Sequence, residues 1–480
     1  MVQPEIFASL DIGTTSIKVV VAEYVNQQIN VIGVGHERSQ GLSRGVIVDI
    51  DKTVESIKRA IKKAEQKANY TINDVIVAVP SNQVNIEPCY GMIAVSNDNR
   101  EITDKDVKNV LAAAKVRSVP AEREIISVMP EEFIVDGFDN IKDPRGMIGV
   151  RLELYASLVT GPKTLIHNIR RCVAMAGLNI RDLVVQSYAN AYAAMSKSER
   201  EFGTILVDMG GGQTSVSVFH DDQLKFATVD HEGGELVTKD ISTILNTSIE
   251  NAEQIKLEYG YALPKDTSDS EFFPVETIGK ANPERVDEHY LAEIIEARER
   301  QIFETLKKPL DKIEAFALPG GIIVTGGAAS LPGVLDLAEE VFGHEVRYYI
   351  PEYVGLRNPI FTTAIGLIQY VAQLDDIHHL AQDHGQQVQV TKPANRPSQP
   401  APVQNQQAAS TKQSELVDNY SQVKDDNAKD TASVSPSNNE QTYYEEKPAS
   451  QYDELNDENE TGEEESPMDK IKNFFKDFFV

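Results

Sequence analysis

Apolar and polar positions alternate along the first 80 residues in a way that divides them into strands and one helix. Short apolar runs with the residue types that favour strands occur four times in this segment. The strands are predicted at 5–11, 16–24, 29–37 and 75–79. Residues 51–68 instead place apolar side chains three and four positions apart, which predicts a helix with one buried face. This alternation of strand and helix indicates an α/β fold.

Residues 82–162 follow a different pattern. Three strand-like stretches, IEPCYGMIAV, EIISVMPEEFIV and GVRLELYASLVT, surround a single helix that opens with a cap-like Thr-Asp pair at Thr103. The segment lacks the glycine-rich turns that follow strands elsewhere in the chain. We therefore predict a separate inserted α+β subdomain here, after which helices resume at 163–176 and 187–197.

The second half of the chain repeats the pattern of the first. Near the N-terminus the chain reads IFASLDIGTTSIKVVVA, and from residue 203 it reads GTILVDMGGGQTSVSVF. Each copy is a strand ending in an aspartate, Asp11 or Asp208, then a turn rich in Gly, Thr and Ser, then a second strand. A repeat at this distance predicts two similar half-folds that face each other. A helix-rich stretch at 286–308, a third glycine turn after a strand, and a final apolar helix complete this half.

The composition changes at about residue 381. From there to 466 the chain is rich in Gln, Asn, Ser, Pro, Asp and Glu and poor in aliphatic residues, so we predict a disordered acidic linker. The last residues, 467–480, restore an apolar pattern and predict a short amphipathic helix. Its apolar face consists of Met468, Ile471, Phe474, Phe475, Phe478 and Phe479.

Charge and cysteine usage narrow the class of protein. The 480-residue chain carries a net charge of -28, which argues against non-specific nucleic-acid binding because such binding needs clustered Lys and Arg. Its two cysteines form no CxxC pair, which is typical of a reducing compartment. The N-terminus lacks the pattern of a signal peptide, and no apolar run is long enough to span a bilayer. We expect a protein made and kept in the cytoplasm.

The two repeated turns have the chemistry of a phosphate site. Their glycines allow backbone N–H groups to approach a phosphate closely, their hydroxyls add donors, and their two carboxylates can hold Mg²⁺ directly or through water. The residues concerned are Asp11, Gly13, Thr14, Thr15, Ser16, Asp208, Gly210, Gly211, Gly212 and Thr214. One such turn alone is more often an ordinary hairpin turn. Two copies in matching strand contexts favour a triphosphate held between the halves, with the third turn, Gly326, Gly327 and Ala328, at the nucleoside.

These motifs carry a family resemblance. DIGTTSIK, DMGGGQTS and IVTGGAA, in this order, resemble the phosphate-1, phosphate-2 and adenosine motifs of the actin-like ATPase superfamily. Within it, residues 1–380 and the C-terminal helix resemble the FtsA family of bacterial cell-division proteins. Three features carry this second resemblance: the insert after the first strand–helix unit, the absence of a substrate-binding domain, and a disordered tail that ends in an amphipathic helix.

The resemblance implies a fold and a ligand. It implies a two-lobed actin-like ATPase fold with an inserted subdomain, a disordered linker and a terminal amphipathic helix, and it implies ATP and Mg²⁺ as ligands. The expected boundaries are 1–81 with 163–200 for the first lobe, 82–162 for the insert, and 201–380 for the second lobe, which includes a smaller subdomain at 230–305. Family positions add Lys18 near the phosphates, Glu253 and Lys256 at the ribose and adenine, and Gln186 as the group that orients water. Glutamine is a poor general base, so we expect weak ATPase activity at most.

The resemblance also implies partners. These are the C-terminal peptide of the tubulin-like protein FtsZ, further copies of the chain in an actin-like filament, and later division proteins. We nominate Arg298, in the helix-rich stretch, as the cation for the acidic peptide, although a solvated helix face explains it equally well. The terminal helix is predicted to bind lipid with its four phenylalanines, which places the protein peripherally on the cytoplasmic side of the membrane at the septum.

Several alternatives remain open at this level. The terminal helix could pack in a core or against a protein partner instead of a membrane. The cleft could belong to a small-molecule kinase, to a chaperone ATPase like the seventy-kilodalton heat-shock proteins, or to a pilus-assembly protein like PilM. Each of the three binding residues outside the turns also has an ordinary explanation: Glu253 and Lys256 as a surface i,i+3 pair, and Gln186 as a polar residue at a helix start.

Overall fold

The first lobe opens with a strand meander and a long helix. A computed structural model of the chain describes residues 5–81, 83–96, 99–116 and 119–381. The elements are β1 (Glu5–Ile12), β2 (Ser16–Val25), β3 (Gln28–Arg38), β4 (Leu42–Ser43), β5 (Val46–Ile47), α1 (Ile50–Ala68) and β6 (Asp74–Val79). The side chain of Asp49 caps α1 by accepting from the backbone N–H of Lys52. The helix packs so closely on β3 that only glycine fits at Gly35. A Cβ there would lie 1.9 Å from the carbonyl oxygen of Ala60.

The insert is an antiparallel sheet with one helix. Its elements are β7 (Asn85–Ala94), α2 (Asp104–Lys115), β8 (Arg123–Val135), β9 (Phe138–Ile141) and β10 (Arg151–Pro162). The strands pair in the order β7-β10-β8-β9, and α2 packs on β7 and β10. The helix begins where the backbone N–H of Thr103 donates to the Asp106 carboxylate at 3.0 Å. Valines and leucines from α2 and from alternate positions of the strands form a core of their own.

The chain then returns to the first lobe. It forms α3 (Lys163–Met175), β11 (Asn179–Val185), α4 (Gln186–Ala194) and α5 (Lys197–Phe202). Strand β11 completes a five-stranded sheet in the order β11-β6-β1-β2-β3. The single helix expected at 187–197 is interrupted, because Met195 and Ser196 are extended and the Ser196 side chain caps a new helix.

The second lobe repeats the first. Its elements are β12 (Thr204–Met209), β13 (Thr214–His220), β14 (Gln223–Asp230), α6 (Gly234–Ile244), α7 (Ile249–Tyr259), β15 (Phe272–Val275), β16 (Glu284–Asp287), α8 (Glu288–Lys312), β17 (Ile322–Thr325), α9 (Val334–Phe342), β18 (Val346–Tyr348), α10 (Thr362–Gln373) and α11 (Asp376–Ala381). The sheet order β14-β13-β12-β17-β18 mirrors that of the first lobe. In both sheets two antiparallel hairpins are followed by two parallel additions.

The repeat extends to the register of the hairpins. Asp11 lies opposite Lys18 in the first lobe, and Asp208 lies opposite Ser215 in the second, so both turns have the same length. Both second strands also meet their neighbours with a β-bulge at the equivalent place, next to Val21 and next to Val218. The prediction of two matching half-folds, and of an α/β architecture with an inserted α+β subdomain, is confirmed.

The last two described helices pack on the first lobe and on the insert. Helix α10 packs on β1, β2 and β6 and crosses α4, so its apolar residues belong to the core of the first lobe. Helix α11 packs on α2 and β8, and buries Ile377 and Ala381 in the core of the insert. The chain order does not show this, because an apolar helix can cover any sheet within its reach.

No helix among the described residues is long and apolar enough to cross a bilayer. The predicted linker and the terminal helix, with Met468, Ile471 and the four phenylalanines, lie outside the described residues.

Candidate functional site

The two repeated turns meet across a narrow cleft. Together they surround a cavity of about 90 Å³. A Cβ at Gly211 would lie 2.2 Å from Cγ2 of Thr15, and one at Gly212 would lie 2.5 Å from Cγ2 of Thr14. Only glycine therefore fits at these two positions with the lobes as close as they are. The turn of the second lobe touches the turn of the first through the side chains that would also face a phosphate.

Each turn brings one aspartate into this cleft. The Asp11 carboxylate accepts from the Lys18 ammonium at 3.1 Å, and both side chains are buried. The Asp208 carboxylate accepts from the side-chain amides of Gln186 at 2.6 Å and Asn190 at 2.9 Å. These two amides lie one turn apart on α4, which places them on the same helix face. Two carboxylates thus share the cleft, each with its own donors.

The surroundings of Asp208 shift the pKa of its carboxyl. Burial raises the pKa of its carboxyl to about 6, the amide of Asn190 opposes this rise, and the negative charge of Asp11 adds to it. A buried carboxyl with a second carboxylate nearby favours the neutral form until a cation enters. The cleft is therefore suited to a ligand that brings a cation with it.

This pKa predicts how stability depends on pH. Between about pH 4 and 6 the unfolded chain releases the proton of Asp208 while the folded chain keeps it, so the free energy of unfolding falls as the pH rises. A shift of two units corresponds to roughly 3 kcal/mol at most. Urea unfolding of the ligand-free protein from pH 4 to 7.5 should show this loss, and D208N should not. Substitution D269N at an exposed aspartate is the control. Parallel curves for the wild type and D208N would refute the assignment.

The aspartates fit Mg²⁺ if the ion arrives with phosphates. Lys18 donates to Oδ2 of Asp11, and the amides of Gln186 and Asn190 donate to Oδ2 of Asp208. Among the described residues, Oδ1 of each aspartate is therefore left without a hydrogen-bond partner. In the part of the chain that the structure describes, no group of three or more His, Cys, Asp or Glu side chains could hold a metal alone. Mg²⁺ retains waters and accepts few protein carboxylates, so two aspartates and a phosphate suit it.

A larger chamber adjoins the cleft. It has a volume of about 830 Å³, within the usual range for ligand pockets, and shares Thr14, Thr15, Gly211 and Gly327 with the smaller cavity. Apolar side chains from α7 and from the turn after β17 line part of this chamber; they are Ile249, Leu257, Ala328, Leu331 and Pro332.

The ammonium of Lys256 is fixed on one side of this chamber. It donates to the carbonyl oxygen of Gly234 at 3.0 Å, to the hydroxyl of Thr238 at 2.8 Å and to the carboxylate of Glu253 at 2.7 Å. Glu253 and Lys256 therefore lie where a nucleoside would sit, one turn apart on α7.

The structure brings nearly all predicted site residues to these two cavities. Around the smaller one lie Asp11, Gly13, Thr14, Thr15, Ser16, Lys18, Gln186, Asp208, Gly210, Gly211, Gly212, Gly326 and Gly327. Around the larger one lie Glu253, Lys256 and Ala328.

Among the residues predicted to bind the nucleotide, Thr214 is the exception. Its hydroxyl is buried and donates to the carbonyl oxygen of Glu232 at 2.9 Å. Thr214 lies opposite Met209, which belongs to the core of the second lobe, whereas its neighbour Ser215 lies opposite Asp208 and lines the cleft. Successive side chains of a strand point to opposite faces, so Ser215 takes the place expected for Thr214.

The sequence reasoning missed Asn190 and Thr363. The Thr363 hydroxyl donates to the side-chain carbonyl of Asn190 at 2.8 Å, which orients the amide toward Asp208. The spacing of Gln186 and Asn190, four residues apart in a helix, was a usable signal. Thr363 had none, because it comes from the distant helix α10.

Arg298 is not a free cation. Its guanidinium donates to Asp240 at 2.6 Å and to Glu232 at 2.8 Å, so an acidic peptide would have to displace two carboxylates. The next residue, Glu299, is buried.

Two lobes of the same topology, with paired glycine turns facing across a cleft, define the class of actin-like folds. The structure is similar in fold to a PilM-PilN type IV pilus biogenesis complex, with a TM-score of 0.53 and 16% sequence identity over 77% of this chain and 99% of that one. The family model of cell division protein FtsA matches residues 205–366, and that of the SHS2 domain inserted in FtsA matches residues 81–160.

Comparison with related sequences identifies the family within this class of fold. The chain is 57% identical to a cell division protein FtsA of Enterococcus hirae over 79% of this chain and 86% of the relative. It is 49% identical to the one of Enterococcus faecalis over 100% of both chains, and 31% identical to the one of Escherichia coli over 76% and 90%. The chain belongs to the FtsA family. The similarity to the PilM complex is one of fold alone.

Proposed function

We propose that this protein binds ATP between its lobes and acts in cell division as an adaptor that links FtsZ filaments to the cytoplasmic face of the membrane. The observation that carries the ATP site is the contact of the two glycine turns, Gly211 on Thr15 and Gly212 on Thr14, around a cavity that Asp11 and Asp208 also line. Family membership supports the division role.

Different residues of the cleft bind different parts of the nucleotide. The backbone N–H groups and hydroxyls of both turns bind the phosphates, and Lys18 adds a positive charge. Asp11 and Asp208 hold Mg²⁺ or its waters, and the ion offsets the phosphate charge. The nucleoside occupies the larger chamber against Ala328, with Glu253 and Lys256 at the ribose and base. A ligand that contacts both lobes stabilises the form in which they are close together.

Hydrolysis is expected to be slow. The amide nitrogen of Gln186 is bound to Asp208, so only its carbonyl oxygen remains to orient an attacking water. An amide is a poor proton acceptor near neutral pH. The nucleotide therefore serves mainly to set the shape of the subunit, and the closed subunit is the one that assembles into filaments.

The helix predicted at 468–480 is the proposed membrane attachment. Its four phenylalanines suit the boundary between headgroups and acyl chains, while its three lysines are balanced by two aspartates and by an acidic stretch upstream. A single helix should bind reversibly, because ordering a short helix offsets part of the gain from burial. A filament that presents many such helices binds firmly, since each further insertion is intramolecular.

Removal of residues 468–480 should abolish membrane binding and leave ATP binding intact. We expect full-length protein with Mg-ATP to float with liposomes and to carry FtsZ filaments with it, and the truncated protein to remain in the aqueous fraction. Flotation, electron microscopy and ATP titration measure the three properties.

F474D with F478D in the full-length chain is the matched control, because it keeps the length and breaks only the apolar face. Undiminished flotation of the truncated protein would contradict the membrane role. Flotation without recruitment of FtsZ filaments would contradict the adaptor role alone.

A further inference from the structure

Helix α8 carries a carboxylate in the middle of its apolar face. The helix buries Leu291, Ile295, Ile302 and Leu306 at the spacing of a core-facing stripe, and Glu299 occupies the stripe position between them. The residue is 1% exposed. Acidic residues are almost never fully buried unless they are paired, so this position calls for a partner.

The described residues do not supply that partner. Oxygen Oε2 of Glu299 is buried and makes no hydrogen bond with any of them. Lys256, a cation on the same chamber wall, already uses its three protons on Gly234, Thr238 and Glu253. The guanidinium of the preceding residue, Arg298, is held by Asp240 and Glu232.

Glu299 lines the large chamber. It shares the wall with Glu253 and Lys256, together with the apolar side chains that would flank a flat ring. The phosphate end of the same chamber is at Thr14, Thr15 and Gly211. Burial raises the pKa of the Glu299 carboxyl to about 7, so at neutral pH the acid form is well populated and can donate as well as accept a hydrogen bond.

We propose that Glu299 is a specificity-determining residue that binds the exocyclic amino group of the adenine base through Oε2. This assignment rests on the proposed ATP site and adds the group that distinguishes adenine from other purines. The amino group donates to Oε2, and the neutral carboxyl donates to a neighbouring ring nitrogen. Guanine carries a carbonyl oxygen in place of this amino group and cannot donate there.

A ribose hydroxyl is the main competing ligand for this carboxylate. The Glu253 carboxylate is much more exposed than that of Glu299 and is bound to Lys256, which suits a contact with the more hydrated ribose. The deeply buried, otherwise apolar position of Glu299 suits the edge of the base. The two ligand groups are separable with nucleotide analogues.

The test compares three triphosphates on three proteins. ATP, purine riboside triphosphate, which lacks the amino group, and 2′-deoxy-ATP are titrated against the full-length wild type, E299Q and E299M. The wild type should prefer ATP over purine riboside triphosphate by about tenfold to a hundredfold, the range for a buried hydrogen bond to an acidic group. E299M should bind both equally. E299Q keeps a donor and an acceptor and should retain the preference.

Folding is monitored separately, by thermal unfolding without nucleotide. E299M removes a buried carboxyl without a partner, so it should be at least as stable as the wild type. E304M, at an exposed glutamate of the same helix, is the matched control and should change neither stability nor preference.

Each other outcome overturns the assignment. An unchanged preference for ATP in E299M would mean that a water or another group satisfies Oε2. A variant that loses only its discrimination against 2′-deoxy-ATP would place Glu299 at the ribose. A wild type that binds none of the three nucleotides would refute the proposed ATP site itself, and a wild type that binds all three equally would refute only the role of Glu299.

Discussion

Replacing Gly211 by alanine is expected to weaken ATP binding by about tenfold to a hundredfold. The new Cβ would lie 2.2 Å from Cγ2 of Thr15, so the two turns could no longer approach as closely as they do. Overpacking of this kind costs about 1–3 kcal/mol, and every 1.4 kcal/mol is a factor of ten in affinity. The cost falls on the closed form, because the two residues belong to different lobes.

A second substitution tests this explanation directly. Thr15→Ser removes the clashing methyl group and keeps the hydroxyl that would bind phosphate. The double variant G211A/T15S should therefore bind ATP more tightly than G211A alone. The rescue should be partial, since the Thr15 hydroxyl and Cβ would still lie 2.9 and 3.1 Å from the new atom.

The measurement is a double-mutant cycle of ATP affinity by titration calorimetry, with thermal unfolding of each ligand-free variant beside it. A coupling energy above about 0.5 kcal/mol would show that the two positions interact. Strictly additive losses would contradict a clash between the turns. A loss of ligand-free stability as large as the loss of affinity would instead point to a damaged second lobe.

The paired aspartate turns were predictable because their signal is local. A strand, a short turn and a second strand lie within about 20 residues, and the copy at Asp208 preserves both the chemistry and the register of the one at Asp11. The same local logic could have been taken further. Strand alternation from Asp208 selects Ser215 over Thr214, and the helical spacing of α8 marks Glu299 as buried.

The amides that bind Asp208, and the hydroxyl that orients one of them, were predictable only in part. Asn190 is four residues from Gln186 on one helix, whereas Thr363 lies 173 residues further along the chain. Nothing local in α10 shows that it returns to the first lobe, because an apolar helix fits several sheets equally well. The same holds for α11, whose small apolar face joins the insert. Which surface a late helix covers depends on the space left by the rest of the fold.

Gly366→Ala is expected to lower the free energy of unfolding by about 2 kcal/mol or more. Gly366 lies where α10 crosses α4, and a Cβ there would be 2.0 Å from the carbonyl oxygen of Ala189 and 2.6 Å from its carbonyl carbon. Alanine favours a helix interior over glycine by about 1 kcal/mol, so at an open position this change would stabilise the protein. Here the clash is with backbone, which cannot rotate away, and overpacking of about 3 kcal/mol outweighs the gain.

Whether G366A lowers or raises the free energy of unfolding shows whether α10 and α4 are in contact as closely as in the structure. Urea unfolding of G366A is compared with that of Q373A, at an exposed position near the end of the same helix, which should stay within about 0.5 kcal/mol of the wild type. A stabilised G366A would refute the close contact. Ala189 lies between Gln186 and Asn190, so a displaced α4 also moves both amides away from Asp208 and should weaken ATP binding. The helix crossing thus positions the donors of the second aspartate.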